Sequence, residues 1–195
     1  MNHTREKIVF IVSAMNLGGA QRAVSILCNY WAANNFEIKI IVTYSGEKIC
    51  HYNLDSRIRL IYLNDEIKLT KFKVLNFFIR IYGLRSIIQS LKPKVVISFL
   101  HRVNIATIIS MWNLNIPLIV SERTYPPFRS SKYPLKLFNN FLFKKCNKVI
   151  VQTKMGFEWF KKHYPEIKAE VIPNAIVYPM VSNNKRIFNN YFNNN

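Results

Sequence analysis

The chain has 195 residues, half of them apolar and 19% charged, with three cysteines and 28 Lys and Arg against 10 Asp and Glu, a formal charge of +18. This balance excludes a wholly disordered chain and a disulfide-stapled miniprotein, and the length suits one hydrophobic core with a tail better than two full domains. The positive charge calls for an anionic partner or surface, but cannot choose among phosphates, anionic lipid and nucleic acid, which all attract Lys and Arg by the same screened Coulomb interaction.

The β-branched run 8–13 predicts a first strand, which ends in the loop Met15-Asn16-Leu17-Gly18-Gly19 and passes into helical periodicity over 20–33. The runs 38–44 and 58–63 are too continuously apolar for half-exposed strands, so they read as buried parallel ones. Residues 68–91 predict one long helix or two shorter ones, stopped by Pro93, followed by a strand over 95–100 and a helix over 104–112. A strand over 118–121, a helix over 135–145, a strand over 149–152, a helix over 157–163 and a strand over 170–172 continue the alternation.

Strands alternating with helices predict an α/β chain, with a Rossmann-like, doubly wound, mainly parallel sheet over residues 1–180 and ligands at the carboxyl ends of its strands. Residues 181–195 are rich in Asn without hydrophobic period and are expected to form a disordered tail. No apolar run reaches the roughly 20 residues that cross a bilayer; Arg80 and Arg85 interrupt the richest stretch, and Asn104, Asn113 and Asn115 dilute the next. With no signal-peptide pattern at the start, the expected location is the cytoplasm, with peripheral contact on the inner membrane face. Cys28, Cys50 and Cys146 lie far apart, without metal-ligand spacing, and are expected to be reduced.

Gly18 and Gly19 follow the first strand and open the first helix, where unpaired amides and the helix dipole favour an anion. The structural alternative is a tight turn that needs positive φ. Neither the dinucleotide pattern GxGxxG nor a phosphate-loop GK[ST] is present.

The string Phe10-Ile11-Val12-Ser13-Ala14-Met15-Asn16-Leu17-Gly18-Gly19-Ala20-Gln21-Arg22-Ala23 resembles the opening of family 4 glycosyltransferases of the GT-B fold. The segments Val96-Ile97-Ser98-Phe99-Leu100, Pro117-Leu118-Ile119-Val120-Ser121-Glu122-Arg123-Thr124 and Val171-Ile172-Pro173-Asn174-Ala175-Ile176 extend the likeness, which spans residues 7–178. It implies the amino-terminal, acceptor-side domain of such an enzyme, nearest to bacterial transferases that add N-acetylgalactosamine or a similar hexose to polyprenyl-diphosphate-linked oligosaccharides. The glycine loop would face the interdomain cleft, with Gly18, Gly19, Gln21 and Arg22 near donor phosphates and acceptor, and the segment holding Asn174 would lead toward a second domain. The resemblance implies retaining, metal-independent transfer without a cofactor, from a nucleotide diphosphate sugar to a lipid-diphosphate-linked or glycan acceptor. The donor-binding domain is expected to be absent from these residues, and the chain alone to be inactive.

Some members of the family carry a His after the Ser-Glu pair where this chain has Arg123. Arg123 would offer a permanently charged fork for phosphate oxygens or sugar hydroxyls, with Glu122 beside it as the second catalytic candidate; the alternative is an ion pair of Arg123 with Glu122 or another carboxylate. His101, after the fourth predicted strand, lies where a site can form.

The first half of the 68–91 helix is apolar nearly all round, so it is either buried or lipid-facing. Lys73 and Arg80, two turns apart, form a cationic ladder suited to a diphosphate. In enzymes the chain resembles, a basic helix holds the lipid diphosphate, which adds Arg85 as a candidate; a plain solvated face is the alternative. Glu158 and Glu166 mimic the family's donor-site acidic pair but precede the Pro173-Asn174 segment and flank Pro165, so they are set aside. A module that binds anionic membrane through residues 68–92 is the competing function. Nucleic acid is not an expected partner, because no helix-turn-helix, zinc-finger, RNP or KH pattern is present.

Overall fold

The computed structural model describes residues 5–44, 48–124 and 141–174. Its elements run β1 (Lys7–Val12), α1 (Gly19–Ala33), β2 (Glu37–Val42), β3 (Arg59–Tyr62), α2 (Leu63–Glu66), α3 (Lys73–Leu91), β4 (Val95–Phe99), α4 (His101–Ser110), β5 (Leu118–Glu122), β6 (Lys148–Val151), α5 (Lys154–His163) and β7 (Ala169–Val171). The seven strands form one all-parallel sheet in the order β3-β2-β1-β4-β5-β6-β7. The α/β doubly wound class predicted from the alternation is therefore the class observed.

Side-chain alternation along the strands divides the core in two. Ile8, Phe10 and Val12 of β1 pack with Val24, Cys28 and Ala32 of α1 on one face. Val9 and Ile11 face the other way, onto Leu84 and Ile88 of α3 and Val103 and Ile108 of α4. Burying both faces is what demands continuous apolar strands such as Ile40-Ile41-Val42, all of them 1% exposed or less. The three cysteines are free.

Helix ends follow local chemistry. Lys92 adopts a left-handed conformation (φ 47°) and donates its amide to the Ile88 carbonyl, closing α3 ahead of Pro93. Thr153 caps α5 by accepting from the Gly156 amide at 3.1 Å.

Several elements differ from the periodicity: α2 is a single turn that no period announced, and α5 starts at Lys154, three residues before the expected 157. The 68–91 segment becomes a helix only from Lys73, because Thr70 and Asn76 tie residues 70–72 into a side-chain-bonded turn. Helix α4 starts at His101, three residues earlier than its apolar period suggests, and the preceding Leu100 sits at φ 75°. A non-glycine residue there costs about 1–3 kcal/mol, a strain that clusters at functional turns. The predicted helix over 135–145 falls mostly outside the described residues, as does the Asn-rich tail.

Candidate active site at the carboxyl edge of the sheet

Because every strand is parallel, the loops after β1, β4, β5, β6 and β7 all leave the same edge of the sheet. The strand order reverses between β1 and β4, so the loops after these two strands diverge and open a crevice, the usual ligand position in such folds. Gly18, His101, Glu122, Arg123 and Asn174 all follow or end strands at this edge.

Glu122 is the last residue of β5 and is only 4% exposed. Its Oε1 accepts from Asn104 Nδ2 at 2.8 Å and lies 3.1 Å from His101 Nδ1. Asn104, fully buried, also donates to the Ser121 carbonyl and accepts from Ser98 Oγ at 2.8 Å. The Asn104 amide thus joins β4, β5 and α4, and it gives the Glu122 carboxylate one of the hydrogen bonds a buried charge needs. The imidazole of His101 stacks on Phe143, with ring centres 5.8 Å apart, so its orientation is fixed from two sides.

Arg123 turns away from this network. Its guanidinium lies over the Phe99 ring at 4.8 Å and donates through Nη1 to Asn174 Oδ1. Asn174 also accepts from Gln152 Nε2 at 2.9 Å, so the tips of β5, β6 and β7 converge on one amide oxygen. Burial lowers the Arg123 pKa from its ordinary value, and its Nε is buried without a hydrogen-bond partner. A buried unpaired donor costs roughly 1–3 kcal/mol, and an incoming anionic or hydroxyl oxygen would relieve that cost. The choice left open by the sequence, an Arg123–Glu122 ion pair or a ligand-directed fork, is met by contacts to Asn174 and Phe99.

At the glycine loop the geometry changes one expectation. The Gly18 amide, expected to be open to an anion, instead donates to the Tyr52 hydroxyl at 2.9 Å, and that hydroxyl donates back to the Gly18 carbonyl at 2.7 Å. Tyr52 comes from the long β2–β3 connection, so nothing local in the glycine motif could reveal it. Gly18 is extended (φ 167°), and no described glycine adopts left-handed backbone, which removes the tight-turn explanation for the pair. A Cβ on Gly19 would meet nothing within 4 Å, so the space before the first turn of α1 is open. No side chain caps that turn. Gln21 reaches back toward Asn16 Oδ1, and Arg22 is exposed.

Both members of the cationic ladder lie on α3. Lys73 is exposed at the first residue of α3, while Arg80 Nη1 donates to the Thr43 carbonyl at 2.8 Å, just beyond β2. Arg85 Nη1 donates to the Ser110 and Trp112 carbonyls and so closes the carboxyl end of α4. The largely apolar start of α3 is exposed: Phe72, just ahead of it, and Val74 and Phe78 within it are 62%, 75% and 61% accessible. Glu166, set aside as a donor-site residue, pairs with Lys144 at 2.5 Å.

Asn104, Ser98, Tyr52 and Gln152 were not singled out from sequence. For Asn104 a signal existed: an amide three residues after His101 in an otherwise apolar helix stretch must find a buried partner.

Comparison with known proteins places this edge in context. The model of the family described as Glycosyltransferase Family 4 matches residues 17–177. Over 127 residues the chain is 32% identical to the GalNAc-alpha-(1->4)-GalNAc-alpha-(1->3)-diNAcBac-PP-undecaprenol alpha-1,4-N-acetyl-D-galactosaminyltransferase of Campylobacter jejuni, covering 65% of this chain and 34% of that protein. The fold superposes on sucrose-phosphate synthase of Thermosynechococcus elongatus with a TM-score of 0.67 at 11% identity, covering 87% of this chain and 48% of that one. It also superposes on Anabaena HepE, solved with UDP and glucose, with a TM-score of 0.61 at 13% identity, covering 88% and 45%. The chain thus spans about a third of the curated relative and just under half of these structures.

Proposed function

Given that the chain belongs to glycosyltransferase family 4, we propose that its carboxyl edge is the acceptor-side wall of a cleft in which a hexose passes from a nucleotide diphosphate sugar to a lipid-diphosphate-linked oligosaccharide. The observation that carries this reading is the convergence of Arg123, Gln152 and Asn174 beside the buried Glu122–His101 pair, on the edge where the glycine loop opens. The likeness to a transferase that acts on an undecaprenol-diphosphate-linked glycan supports the acceptor class.

In this reading the chain's own groups bind, orient and stabilise charge. Arg123 meets developing negative charge on the leaving diphosphate, where fixed donors in a water-poor site act most strongly. His101, held by Glu122 through Nδ1, presents its other ring nitrogen as a fixed polar contact for an acceptor hydroxyl. Transfer is proposed to retain anomeric configuration and to need neither metal nor cofactor.

A polypeptide of these 195 residues supplies one wall only, so on its own it is expected to give no turnover with lipid acceptor and a panel of nucleotide sugars. Joined to a family donor-binding domain, it is expected to transfer hexose with retained configuration, read by NMR of the product. Robust turnover by the 195 residues alone would overturn the half-site reading, and inversion would overturn the retaining one.

The exposed Leu69, Phe72, Val74 and Phe78, beside Lys68, Lys71 and Lys73, favour a compatible second role for the start of α3: peripheral contact with an anionic membrane. No described helix is long and apolar enough to cross one. Vesicle sedimentation at physiological salt should show preference for phosphatidylglycerol over phosphatidylcholine. Each cation near the surface contributes about 1 kcal/mol, so Lys71→Gln with Lys73→Gln should weaken binding at least about ten-fold. Equal binding to both vesicle types removes this role.

A further inference from the structure

The edge of the sheet opposite the candidate active site carries a hollow of its own. The turn from α4 to β5 (111–117) and residues 145–147 ahead of β6 both lie where strands begin, the whole length of β5, about 15 Å, from Glu122. Trp112, Asn113, Asn115, Ile116, Lys145 and Asn147 line a cavity of about 420 Å³ between them. That volume lies within the roughly 300–1,000 Å³ span of small-molecule sites.

Hydrogen bonds from several elements fix this turn. Arg85 Nη1 reaches from α3 to the Ser110 and Trp112 carbonyls, at 3.0 and 2.6 Å, which commits that guanidinium to the backbone. Leu114 donates its amide to the Met111 carbonyl, and Asn113 takes the left-handed conformation (φ 58°) that an asparagine tolerates. Asn147 Oδ1 accepts the Leu118 amide at 2.8 Å and so ties the two sides of the hollow together. On this frame stand Trp112, 37% exposed, and Phe141, 52% exposed, with ring centres 5.7 Å apart. Lys145 Nζ sits 4.9 Å from the first ring centre and 5.5 Å from the second, and among the described residues it pairs with no carboxylate. Among the described residues the side chains of Asn113 and Asn115 and the Nδ2 of Asn147 make no hydrogen bond.

Such a lining asks for a ligand with an apolar face and a rim that both donates and accepts. A hydrocarbon would displace water from three amides and an ammonium without replacing their hydrogen bonds. A diphosphate would meet one cation, Lys145, on the described lining. A pyranose answers every group: its C–H face suits the negative face of an indole, and its hydroxyls donate and accept as asparagine amides do. We propose that the hollow is a second carbohydrate site, which seats one pyranose unit of a glycan on Trp112 and bonds its hydroxyls to Asn113, Asn115, Asn147 and Lys145. The inference goes beyond the transfer reading and does not depend on it. A glycan held here is tethered away from any reacting end, which raises its local concentration at the protein without joining the chemistry.

The test is titration of the isotope-labelled 195-residue chain, followed by two-dimensional NMR of its amide and indole N–H groups. The tryptophans are Trp31, Trp112 and Trp159, so one indole reports the hollow and two serve as controls. The probes are the α-1,4-linked disaccharide of N-acetylgalactosamine, maltotriose and UDP. At least one glycan is expected to shift the Trp112 indole and the Leu114 and Ile116 amides saturably, with Kd on the order of 1 mM, and to leave Trp31 and Trp159 in place. Trp112→Ala should abolish the amide shifts, and Trp112→Phe should restore most of them. Asn115→Ala, and Asn113→Gly, which keeps the left-handed backbone, alter exposed positions and should each weaken binding by about three- to ten-fold. No saturable shift at Trp112 with either glycan overturns the proposal, and so does glycan binding that ignores both asparagine variants. A shift with UDP alone overturns it too and assigns the hollow to a nucleotide base. Turnover of the joined two-domain chain reads glycosyl transfer separately, so glycan binding here without any turnover would keep this site and discard the transferase reading.

Discussion

Arg123→Lys should lower kcat/KM by about 10²-fold or more in a preparation that carries a donor-binding domain, with unchanged folding. Removing one fixed donor from a charge-stabilising site typically costs about 10²–10³ in rate. Lysine keeps the charge but loses the planar fork that lies over Phe99, reaches Asn174 and still holds an unpaired Nε. The loss should fall on kcat more than KM, since the group answers charge that develops as the diphosphate leaves. Circular dichroism and the urea midpoint provide the control for folding. A variant with near-normal kcat would mean that Arg123 is a structural tie between the tips of β5 and β7, and Asn174→Ala would then destabilise the chain as much as Arg123→Lys does.

Glu122→Ala is expected to cost about 2–4 kcal/mol of stability, since it takes one acceptor from the fully buried Asn104 amide and removes the anchor of His101. Glu122→Gln keeps one acceptor oxygen and should cost about half as much. The urea midpoint should fall in that order without a change in slope, because neither change alters the surface exposed on unfolding. His101→Ala, by contrast, releases a partly exposed partner and should cost little stability while impairing transfer. Equal, small shifts for both Glu122 variants would show that the carboxylate does not hold β5 to α4.

Much of the architecture was legible because strand burial writes itself into composition. Val9 to Val12 and Ile40 to Val42 are continuous apolar runs, and Val96 to Phe99 is broken only by Ser98, because both faces of the sheet are covered; the segments between them carry helical period. The placement of the candidate residues was legible in outline: Gly18, His101, Glu122 and Arg123 were expected at strand ends, and Asn174 came from the family likeness. Their partners were not. Tyr52 is 34 residues from Gly18, Asn174 is 51 from Arg123, and Glu122 is 18 from Asn104; such pairings carry no local spacing rule. Lys73 and Arg80 share α3 as helical geometry required, but that geometry could not foresee that the Thr43 carbonyl would accept from Arg80.

The amino-acid order alone determined the alternation of strand and helix, the parallel sheet, the edge on which chemistry would gather and the glycosyltransferase likeness, all of which follow from short-range periodicity and contiguous motifs. Only the tertiary structure decided which amide the glycine loop had already spent, which side chains Glu122 and Arg123 would face, and that the turn after α4 would bring Trp112 and its neighbouring amides up to Lys145. Those outcomes depend on where segments far apart in the chain meet, and hydrogen bonds and packing at such meetings are set by three-dimensional distance and direction, which local sequence does not encode.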